Sequence, residues 1–308
     1  MGKPTRVSFG EALAELGEIY RNIVVLDADL SKSTKSDEFA KKFPDRFFQM
    51  GIAEANMVGV GAGLALSEFI PFICSFAVFV TGRYDTIRMS IAYTEANVKI
   101  VGTHCGTGIG EDGNSHMALE DISLMRSLPK MSVIQPVDDI ETKQAVKFIV
   151  KHKGPVYLRL TRQALENINS SDYQFNYGKG VVLKEGKDVT LIATGALVYN
   201  VLKAAEELEK DNISAKVINI HTIKPIDKEL IIDSAKNTNR IMTFEDHNII
   251  GGLGSAVAEV LAENIPTKLK RIGLRDVFGE SGSPEELYKK YGFDKDGIKN
   301  SVKDFLKN

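Results

Sequence analysis

The chain has 308 residues, of which 43% are apolar and 26% are charged, and its formal net charge is −2. This length allows two domains, because single hydrophobic cores stop growing at about 250–300 residues. The near-neutral charge does not favour nucleic-acid binding, and no apolar run reaches the roughly 18 residues of a membrane span. The amino terminus shows no apolar signal segment, so we expect a cytoplasmic protein without membrane or nucleic-acid partners.

The first part of the chain alternates short β-branched runs with amphipathic stretches. Strands are predicted at 22–28, 98–104, 131–136 and 155–160, and helices near 8–20, 54–68, 83–96 and 138–152. Strands that alternate with helices in this way are typical of a parallel sheet covered by helices.

A polar segment at 164–180, rich in asparagine and serine, interrupts this alternation and is the best linker candidate. The pattern resumes with predicted strands at 189–194, 215–220, 240–246 and 268–274. We therefore predict an α/β fold of two parallel-sheet domains, the second smaller than the first. The predicted division is residues 1–165, a linker at 166–182, and residues 183–308.

Ligands of parallel α/β sheets bind beyond the carboxyl ends of the strands, where loops meet helix amino termini. Three segments are predicted to lie at such ends, namely residues 27–34, the region around Glu54, and residues 103–116. We expect one face of the first domain to collect all three.

Glu54 is the single acid in the run QMGIAEANMVGVGAG at 49–63, which consists mostly of glycine, small and apolar residues. Desolvation by such neighbours favours a protonated carboxyl group that can hold or share a proton. The alternative is a glutamate that stabilises the first turn of a helix through the helix dipole, which is the commoner use of an acid there.

The loop at 103–116 combines four glycines with two of the five histidines, His104 and His116, and with the acidic pair Glu111 and Asp112. Glycine lets the backbone approach a ligand closely, while histidine and aspartate offer donors and acceptors to a polyhydroxylated substrate. The alternative is a glycine-rich turn with solvated charges. A metal site is disfavoured because the histidines lie twelve residues apart and no second cluster of ligands follows.

Phe76 and Phe79 are three residues apart and could form an aromatic wall around a flat ring, although core packing is the ordinary explanation of this spacing. Arg6, Ser33 and Arg162 each lie at a segment end beside polar residues, as a phosphate clamp requires. Taken alone, each is better explained by a surface ion pair or a helix cap.

Two segments of the second domain, and the two cysteines, are weaker indications of a functional site. The glycine-rich run at 251–259 lacks the GxGxxG spacing of a nucleotide loop and is interpreted as a tight helix start, and residues 245–247 before it could line an interface. Cys74 and Cys105 show no CxxC spacing, so we expect buried small hydrophobic residues rather than a zinc site or a disulfide.

In this order, the run at 49–65, the phenylalanine pair, THCGTGIGEDGNSH at 103–116 and LTRQ at 160–163 resemble the second half of transketolase, a thiamine diphosphate enzyme. Residues from about 4 to 163 resemble its pyrimidine-binding domain, and residues from about 180 to 305 its C-terminal domain. The family's GDG motif, which with a later asparagine holds magnesium and the cofactor's diphosphate, does not occur in this sequence. The chain therefore resembles the C-terminal subunit of a split, two-chain transketolase.

The resemblance implies roles around the cofactor. Glu54 falls where the family places the glutamate that hydrogen-bonds the ring nitrogen of the aminopyrimidine. Phe76 and Phe79 match the aromatic pocket around that ring, and Asp29 matches a residue near the cofactor and the subunit interface. These four residues are the implied cofactor-binding set.

The resemblance also implies roles around the substrate. Asp112 matches the acid that recognises the sugar hydroxyl group next to the carbonyl group. The two loop histidines match residues that contact the sugar, and together with Glu54 they are the implied catalytic residues. The full substrate-binding set, whose first, second and last members match the clamp on the sugar phosphate, is Arg6, Ser33, His104, Asp112, His116 and Arg162.

Two positions depart from the family pattern. The third aromatic residue of the family's pocket falls at Gly82, so either Tyr84 substitutes for it or that wall is more open. Asn114 and Ser115 replace the usual Pro-Thr before the second histidine, which leaves the choice of substrate open.

The resemblance implies ketol transfer from a ketose phosphate to an aldose phosphate. Thiamine diphosphate would be shared with an N-terminal partner chain that carries the GDG motif and holds Mg²⁺. Two copies of each chain, self-associating through both domains of this one, would form two sites, and this chain alone would be inactive. No metal ligands are expected on this chain.

Two alternatives stay open. The first is a related thiamine diphosphate enzyme subunit, of the kind found in 2-oxo acid dehydrogenases or deoxyxylulose phosphate synthase. Those families do not combine the histidine-flanked GEDG loop with the TRQ arginine, so this loop discriminates against them. The second is a non-catalytic, transketolase-like interaction module, and the presence of every implied site residue argues against it.

Overall fold

The computed structural model describes residues 2–307. We call residues 2–160 the N-terminal unit. Its strands are β1 (Ile23–Asp27), β2 (Phe47–Gln49), β3 (Ile70–Phe76), β4 (Lys99–Thr103), β5 (Ser132–Ile134) and β6 (Val156–Arg159). Its helices are α1 (Thr5–Ile19), α2 (Ser31–Thr34), α3 (Asp37–Lys42), α4 (Glu54–Leu66), α5 (Ala77–Thr81), α6 (Tyr84–Ile87), α7 (Asp121–Ser127) and α8 (Asp139–Lys151).

We call residues 181–307 the C-terminal unit; it follows a segment, residues 160–180, that contains neither helix nor strand. Its strands are β7 (Val181–Lys184), β8 (Val189–Ala193), β9 (Ala215–Asn219), β10 (Thr222–Lys224), β11 (Arg240–Asn248) and β12 (Lys268–Leu274). Its helices are α9 (Val198–Glu209), α10 (Lys228–Thr238), α11 (Leu253–Asn264), α12 (Pro284–Tyr291) and α13 (Lys295–Lys307). The exact domain limits stay a prediction.

The first sheet has the strand order β10-β5-β6-β4-β3-β1-β2, and the second has the order β12-β11-β8-β9-β7. Helices cover the faces, so β1, β3 and β4 are buried along their whole length and consist largely of apolar residues. Successive residues of β3 point to opposite faces, with Phe72 in one hydrophobic cluster and Ile73 in another. The predicted fold class, two α/β domains built on largely parallel sheets, is confirmed.

The sheets differ from the prediction in their edge strands. β10 pairs antiparallel with β5, and β7 pairs antiparallel with β9. The strand β3 lies at the centre of the first sheet, although its run IPFICSF did not stand out as a strand in the sequence. The helix predicted over 83–96 is shorter, because α6 passes into a π-helical turn at Arg88–Ala92 and Glu95 adopts a left-handed backbone with φ 51°.

Three further expectations concern single features. Cys74 and Cys105 are free and buried, as predicted. The run at 251–259 forms the start of α11, where the carboxylate of Glu245 accepts hydrogen bonds from the amides of Leu253 and Gly254 at 2.7 and 2.8 Å. Among residues 2–307, no helix is long and apolar enough to cross a membrane.

The two units meet across a buried polar junction. Strand β10 of the C-terminal unit extends the sheet of the N-terminal unit, so the units share one sheet edge. Arg159 at the end of β6 forms a fully buried ion pair with Asp121 at 2.7 Å and donates to the main-chain oxygen of Asp246 at 3.1 Å. Residues 245–247 therefore lie at an interface, as the sequence suggested.

Candidate active site

Three neighbouring strands bring the candidate residues together. β4, β3 and β1 are adjacent in the sheet and parallel, so their carboxyl ends share one edge. The loop at 28–34 follows β1, Phe76 ends β3, and the loop at 103–116 follows β4. Glu54 and Asp29 border one cavity, and Arg6 contacts both Ser33 and His104, so the three segments gather on one face, as predicted.

A cavity of about 280 Å³ lies at this edge. Glu54, the first residue of α4, is 6% exposed and borders the cavity. Asp29 borders it from the loop after β1, where its backbone is left-handed with φ 63° and its amide donates to Oε1 of Gln49 at 2.7 Å. The lining consists of Ala28, Asp29, Leu30, Ile52, Glu54, Phe79 and Arg83.

Glu54 is a buried acid that the rest of the chain leaves unpaired. Among the described residues, none forms a hydrogen bond or ion pair with its carboxyl group. Its carboxyl oxygens are not among the fully buried polar atoms that lack a partner in the described chain, so they keep access to the cavity. Its place in the first turn of α4 provides some stabilisation through the helix dipole. The carboxyl group is therefore available to a ligand that offers a hydrogen-bond donor or acceptor.

Phe76 and Phe79 occupy different positions in the site. Their rings stack with centroids 5.7 Å apart and an interplanar angle of 7°. Phe79 lines the cavity, whereas Phe76 is not part of its described lining and stacks on His104 with centroids 3.8 Å apart. His116 meets the edge of Phe79 at 5.4 Å. The aromatic pair thus connects the cavity to the histidines.

The aromatic wall is open on the side of Gly82. Tyr84 directs its hydroxyl group to Oγ of Ser127 on α7, 2.9 Å away, and is not part of the cavity lining in the described chain. Arg83 lines the cavity instead. Of the two alternatives from the sequence, the geometry therefore favours the more open wall.

Arg6 links the loop after β1 to His104. Its Nη1 donates to the main-chain oxygen of Ser33 at 2.7 Å and lies 3.2 Å from Nε2 of His104. Arginine has only donors, so Nε2 is the acceptor and the ring proton lies on Nδ1, which donates to Oγ1 of Thr103 at 2.8 Å. Ser33 thus contributes its main-chain carbonyl group to this cluster.

His104 is held neutral by its surroundings. Burial is the largest cause that lowers its pKa, to about 3, and the charges of Arg6, Arg162 and His116 act in the same direction. Its backbone is left-handed, with φ 62°, which is uncommon for a residue other than glycine. In this tautomer the free lone pair lies on Nε2, so the ring can accept a hydrogen bond there from a sugar hydroxyl group that takes the place of Arg6.

Asp112 and Arg162 form an ion pair at the outer end of the site. Nη1 of Arg162 lies 3.1 Å from Oδ2 of Asp112 and donates to the main-chain oxygen of Ile109 at 2.9 Å. Both side chains are about 40% exposed. Burial lowers the pKa of Arg6, and the charge of Arg162 adds to this effect, so two cations face the same region. Such a region suits an anionic group.

Asp27 at the end of β1 was not singled out from the sequence. It is fully buried, and its carboxylate accepts hydrogen bonds from the amide of Leu30 and from the hydroxyl groups of Thr34 and Ser36, at 2.7 to 2.8 Å. These bonds hold the loop that carries Asp29 and Ser33. An acid at the end of a buried strand, followed by several hydroxyl residues, is the signal that could have found it.

Family models match nearly the whole chain. The pyrimidine-binding domain of transketolase matches residues 2–167, and the C-terminal domain of transketolase matches residues 178–298. The chain belongs to the transketolase family. The sequence resemblance is thereby confirmed, and the missing GDG motif agrees with a match to the second half of transketolase only.

Relatives of this transketolase-family chain include separate subunits and full-length enzymes. It is 49% identical to a putative transketolase C-terminal section of Methanocaldococcus jannaschii, covering 99% of this chain and 97% of the relative. It is 44% identical to a 6-deoxy-6-sulfo-D-fructose transketolase subunit of Clostridium sp., covering 93% and 89%. Mouse transketolase is 42% identical over 97% of this chain, which spans 48% of that enzyme.

A solved structure agrees with this transketolase-family assignment. It is described as a split gene transketolase, inactive beta4 tetramer, and matches with a TM-score of 0.93 at 49% identity. The match covers 99% of both chains. The chain is therefore a transketolase-family C-terminal subunit in sequence and in fold.

Proposed function

We propose that this chain is the C-terminal subunit of a two-chain, thiamine diphosphate-dependent transketolase. The reaction is transfer of a two-carbon ketol unit from a ketose phosphate to an aldose phosphate. The observation that carries the proposal is Glu54, a 6% exposed carboxyl group without a partner in the described chain, at the border of a cavity whose wall residue Phe79 stacks on Phe76. Phe76 in turn stacks on His104, which Arg6 contacts.

The cavity fits one end of the cofactor. An aminopyrimidine ring is flat and carries ring nitrogens, which suits a pocket with the aromatic Phe79 on its wall and the unpaired carboxyl group of Glu54 at its border. Glu54, Phe79 and Asp29 would hold this ring, with Phe76 behind Phe79. When bound, thiamine diphosphate supplies the carbanion chemistry of ketol transfer. The protein contributes orientation and the hydrogen bond to the ring.

The polar cluster fits a phosphorylated sugar. Arg6 and Arg162 would bind the phosphate group, and Ser33 would orient Arg6 through its main-chain oxygen. His104, His116 and Asp112 would bind the hydroxyl groups, with His104 held neutral and oriented by Arg6 and Thr103. His104 and His116 are the candidates to hold or move a proton at a substrate oxygen.

A partner chain completes the site in this proposal. The sequence has no GDG motif, so the diphosphate group and Mg²⁺ would be held by an N-terminal subunit. The 49% identical structure is described as an inactive beta4 tetramer, which supports self-association without activity. Two copies of this chain and two of the partner would form two sites. The cytoplasmic location stays a prediction.

The test is ketol transfer from xylulose 5-phosphate to ribose 5-phosphate, with thiamine diphosphate and magnesium present. The chain should be inactive alone and active when mixed with a GDG-bearing subunit encoded beside it. A mixture that forms a complex and binds cofactor but transfers no ketol unit from any phosphorylated ketose would contradict the proposal. A 2-oxo acid substrate turned over by that mixture would favour the related thiamine diphosphate enzymes.

A further inference from the structure

We infer that the C-terminal unit positions the substrate loop, residues 103–116, through a clamp formed by Asp246, Tyr288 and Gln163. The inference rests on the proposed function and adds a task for the C-terminal unit, whose residues do not line the cofactor cavity in the described chain. Asp246 bonds the loop directly and Tyr288 bonds Asp246, so both are assigned as positioning residues.

The first half of the clamp is the carboxylate of Asp246 on β11. Its Oδ1 accepts hydrogen bonds from the amide and the hydroxyl group of Thr107, at 2.8 and 2.9 Å. Its Oδ2 accepts a bond from the amide of Gly108 at 3.3 Å. Asp246 is 3% exposed, and a carboxylate buried to this extent requires such donors. Three donors of the loop therefore depend on one side chain of the C-terminal unit.

The second half of the clamp is the hydroxyl group of Tyr288, which connects Asp246 to the residue next to Arg162. The hydroxyl group of Tyr288 on α12 donates to Oδ2 of Asp246 at 3.0 Å and accepts a bond from Nε2 of Gln163 at 2.7 Å. Gln163 directly follows Arg162 in the chain. The same carboxylate thus connects the loop that carries Asp112 with the segment that carries Arg162.

Glycines in the loop make this close approach possible. A Cβ atom on Gly106 would lie 2.3 Å from Oδ2 of Asp246, and one on Gly108 would lie 2.0 Å from Nε2 of Gln163. Both distances are far below van der Waals contact, so a side chain at either position would displace the carboxylate of Asp246 or the amide of Gln163 from its present hydrogen bonds. Apolar residues of the same region, Ile109 and Met117, belong to the hydrophobic cluster of the C-terminal unit. The loop is therefore anchored to that unit by polar and apolar contacts together.

The test compares Tyr288→Phe and Asp246→Asn with a matched control, Tyr291→Phe. Tyr291 lies on the same helix, and its buried hydroxyl group has no hydrogen-bond partner in the described chain. Hydrogen–deuterium exchange of the full chain, without partner or cofactor, should be at least about tenfold faster at residues 107 and 108 in both clamp variants. The control should exchange there like the original chain.

The second arm uses the reconstituted complex with its cofactor. In both clamp variants the KM for a phosphorylated ketose should rise about tenfold, with a smaller change in kcat, because the loop binds substrate and Glu54 is untouched. A purely structural role would instead lower kcat with the folded fraction and leave KM unchanged, and that result overturns the inference. Unchanged loop exchange in both variants overturns it as well. If the original mixture transfers no ketol unit, the proposed function fails, and the exchange arm alone decides the clamp.

Discussion

The cavity bordered by Glu54 and the polar cluster of Arg6, His104, Asp112 and Arg162, here called the substrate cluster, differ in how their polar groups are paired. In the cavity, Glu54 is 6% exposed and its carboxyl group has no partner in the described chain. In the cluster, Arg6 contacts His104 at 3.2 Å and Arg162 contacts Asp112 at 3.1 Å. The polar groups of the cluster pair within this chain, whereas the proposed function assigns the Glu54 carboxyl group to the cofactor. Removing a cavity residue should therefore affect chemistry alone, and removing a cluster residue should affect binding.

The largest expected effect follows from Glu54→Ala. Turnover by the reconstituted mixture should fall by about 10²–10⁴-fold, the usual contribution of a positioned acid or base. The free energy of unfolding should fall by at most about 1 kcal/mol, because no protein hydrogen bond is lost and only the interaction with the helix dipole of α4 is removed. Steady-state kinetics and thermal unfolding of the same preparation check both halves. Full activity in this variant would remove the basis of the assignment.

The next effect follows from Arg162→Ala, which acts in the substrate cluster. The KM for phosphorylated donors should rise about 10- to 100-fold, as expected for loss of a charge-assisted hydrogen bond, with little change in kcat. A donor without a phosphate group serves as the control and should be turned over nearly as before. Equal losses with both donors would argue that Arg162 holds Asp112 rather than the phosphate.

A smaller effect concerns the protonation of His104. Burial, assisted by neighbouring charges, lowers its pKa from 6.5 to about 3. Between these pH values the unfolded chain binds a proton at His104 that the folded chain does not. The free energy of unfolding therefore decreases as the pH falls through this range. Nitrogen chemical shifts of His104 should stay those of a neutral ring from about pH 8 to about pH 5. Titration of the ring near pH 6.5 would contradict the geometry of the cluster.

The same shift can be checked through stability. His104→Gln removes the titrating group, so the variant should lose less stability than the original chain when the pH falls from about 6.5 to about 4. Denaturant unfolding of both proteins at several pH values measures the difference. Parallel pH dependences would mean that His104 takes up its proton equally in the folded and unfolded chain.

The smallest effect is expected for Tyr84→Phe. The hydroxyl group of Tyr84 bonds Ser127, 2.9 Å away at an exposed position, so its loss should cost at most about 1 kcal/mol of stability. The affinity of the reconstituted complex for thiamine diphosphate should not change, because Tyr84 does not line the cavity. A clear loss of cofactor affinity would show that Tyr84 completes the aromatic wall after all.

The sequence predicts the parts of the fold that depend on local patterns. Buried β-branched runs identify strands such as β1 and β4, because helices on both faces require continuous apolar residues. β3 was not predicted because its run IPFICSF contains a proline and only two β-branched residues, Ile70 and Ile73. The pairing of β10 with β5 was not predictable, since it joins strands from different units and no local pattern specifies it.

The candidate site likewise contains residues that the sequence predicts and contacts that it does not. Glu54 stands out because it is the single acid among glycine, small and apolar neighbours. His104, Asp112 and His116 stand out because they share one glycine-rich loop. The clamp on the loop could not be found, because its hydrogen bond joins Thr107 to an aspartate 139 positions away. Contacts between distant segments depend on how the two units dock, and a single sequence carries no period or motif for them.

The most direct test of the account is a titration of this chain into a fixed amount of the GDG-bearing partner, with ketol transfer from xylulose 5-phosphate as the readout. In the proposed function each site needs Glu54 from this chain and a diphosphate pocket from the partner, so activity should start at zero and saturate at an equimolar ratio. The Glu54→Ala chain should compete with the original chain and lower the activity of the mixture. Ketol transfer by this chain alone, or activity that the Glu54→Ala chain restores, would contradict the claim that the site is shared.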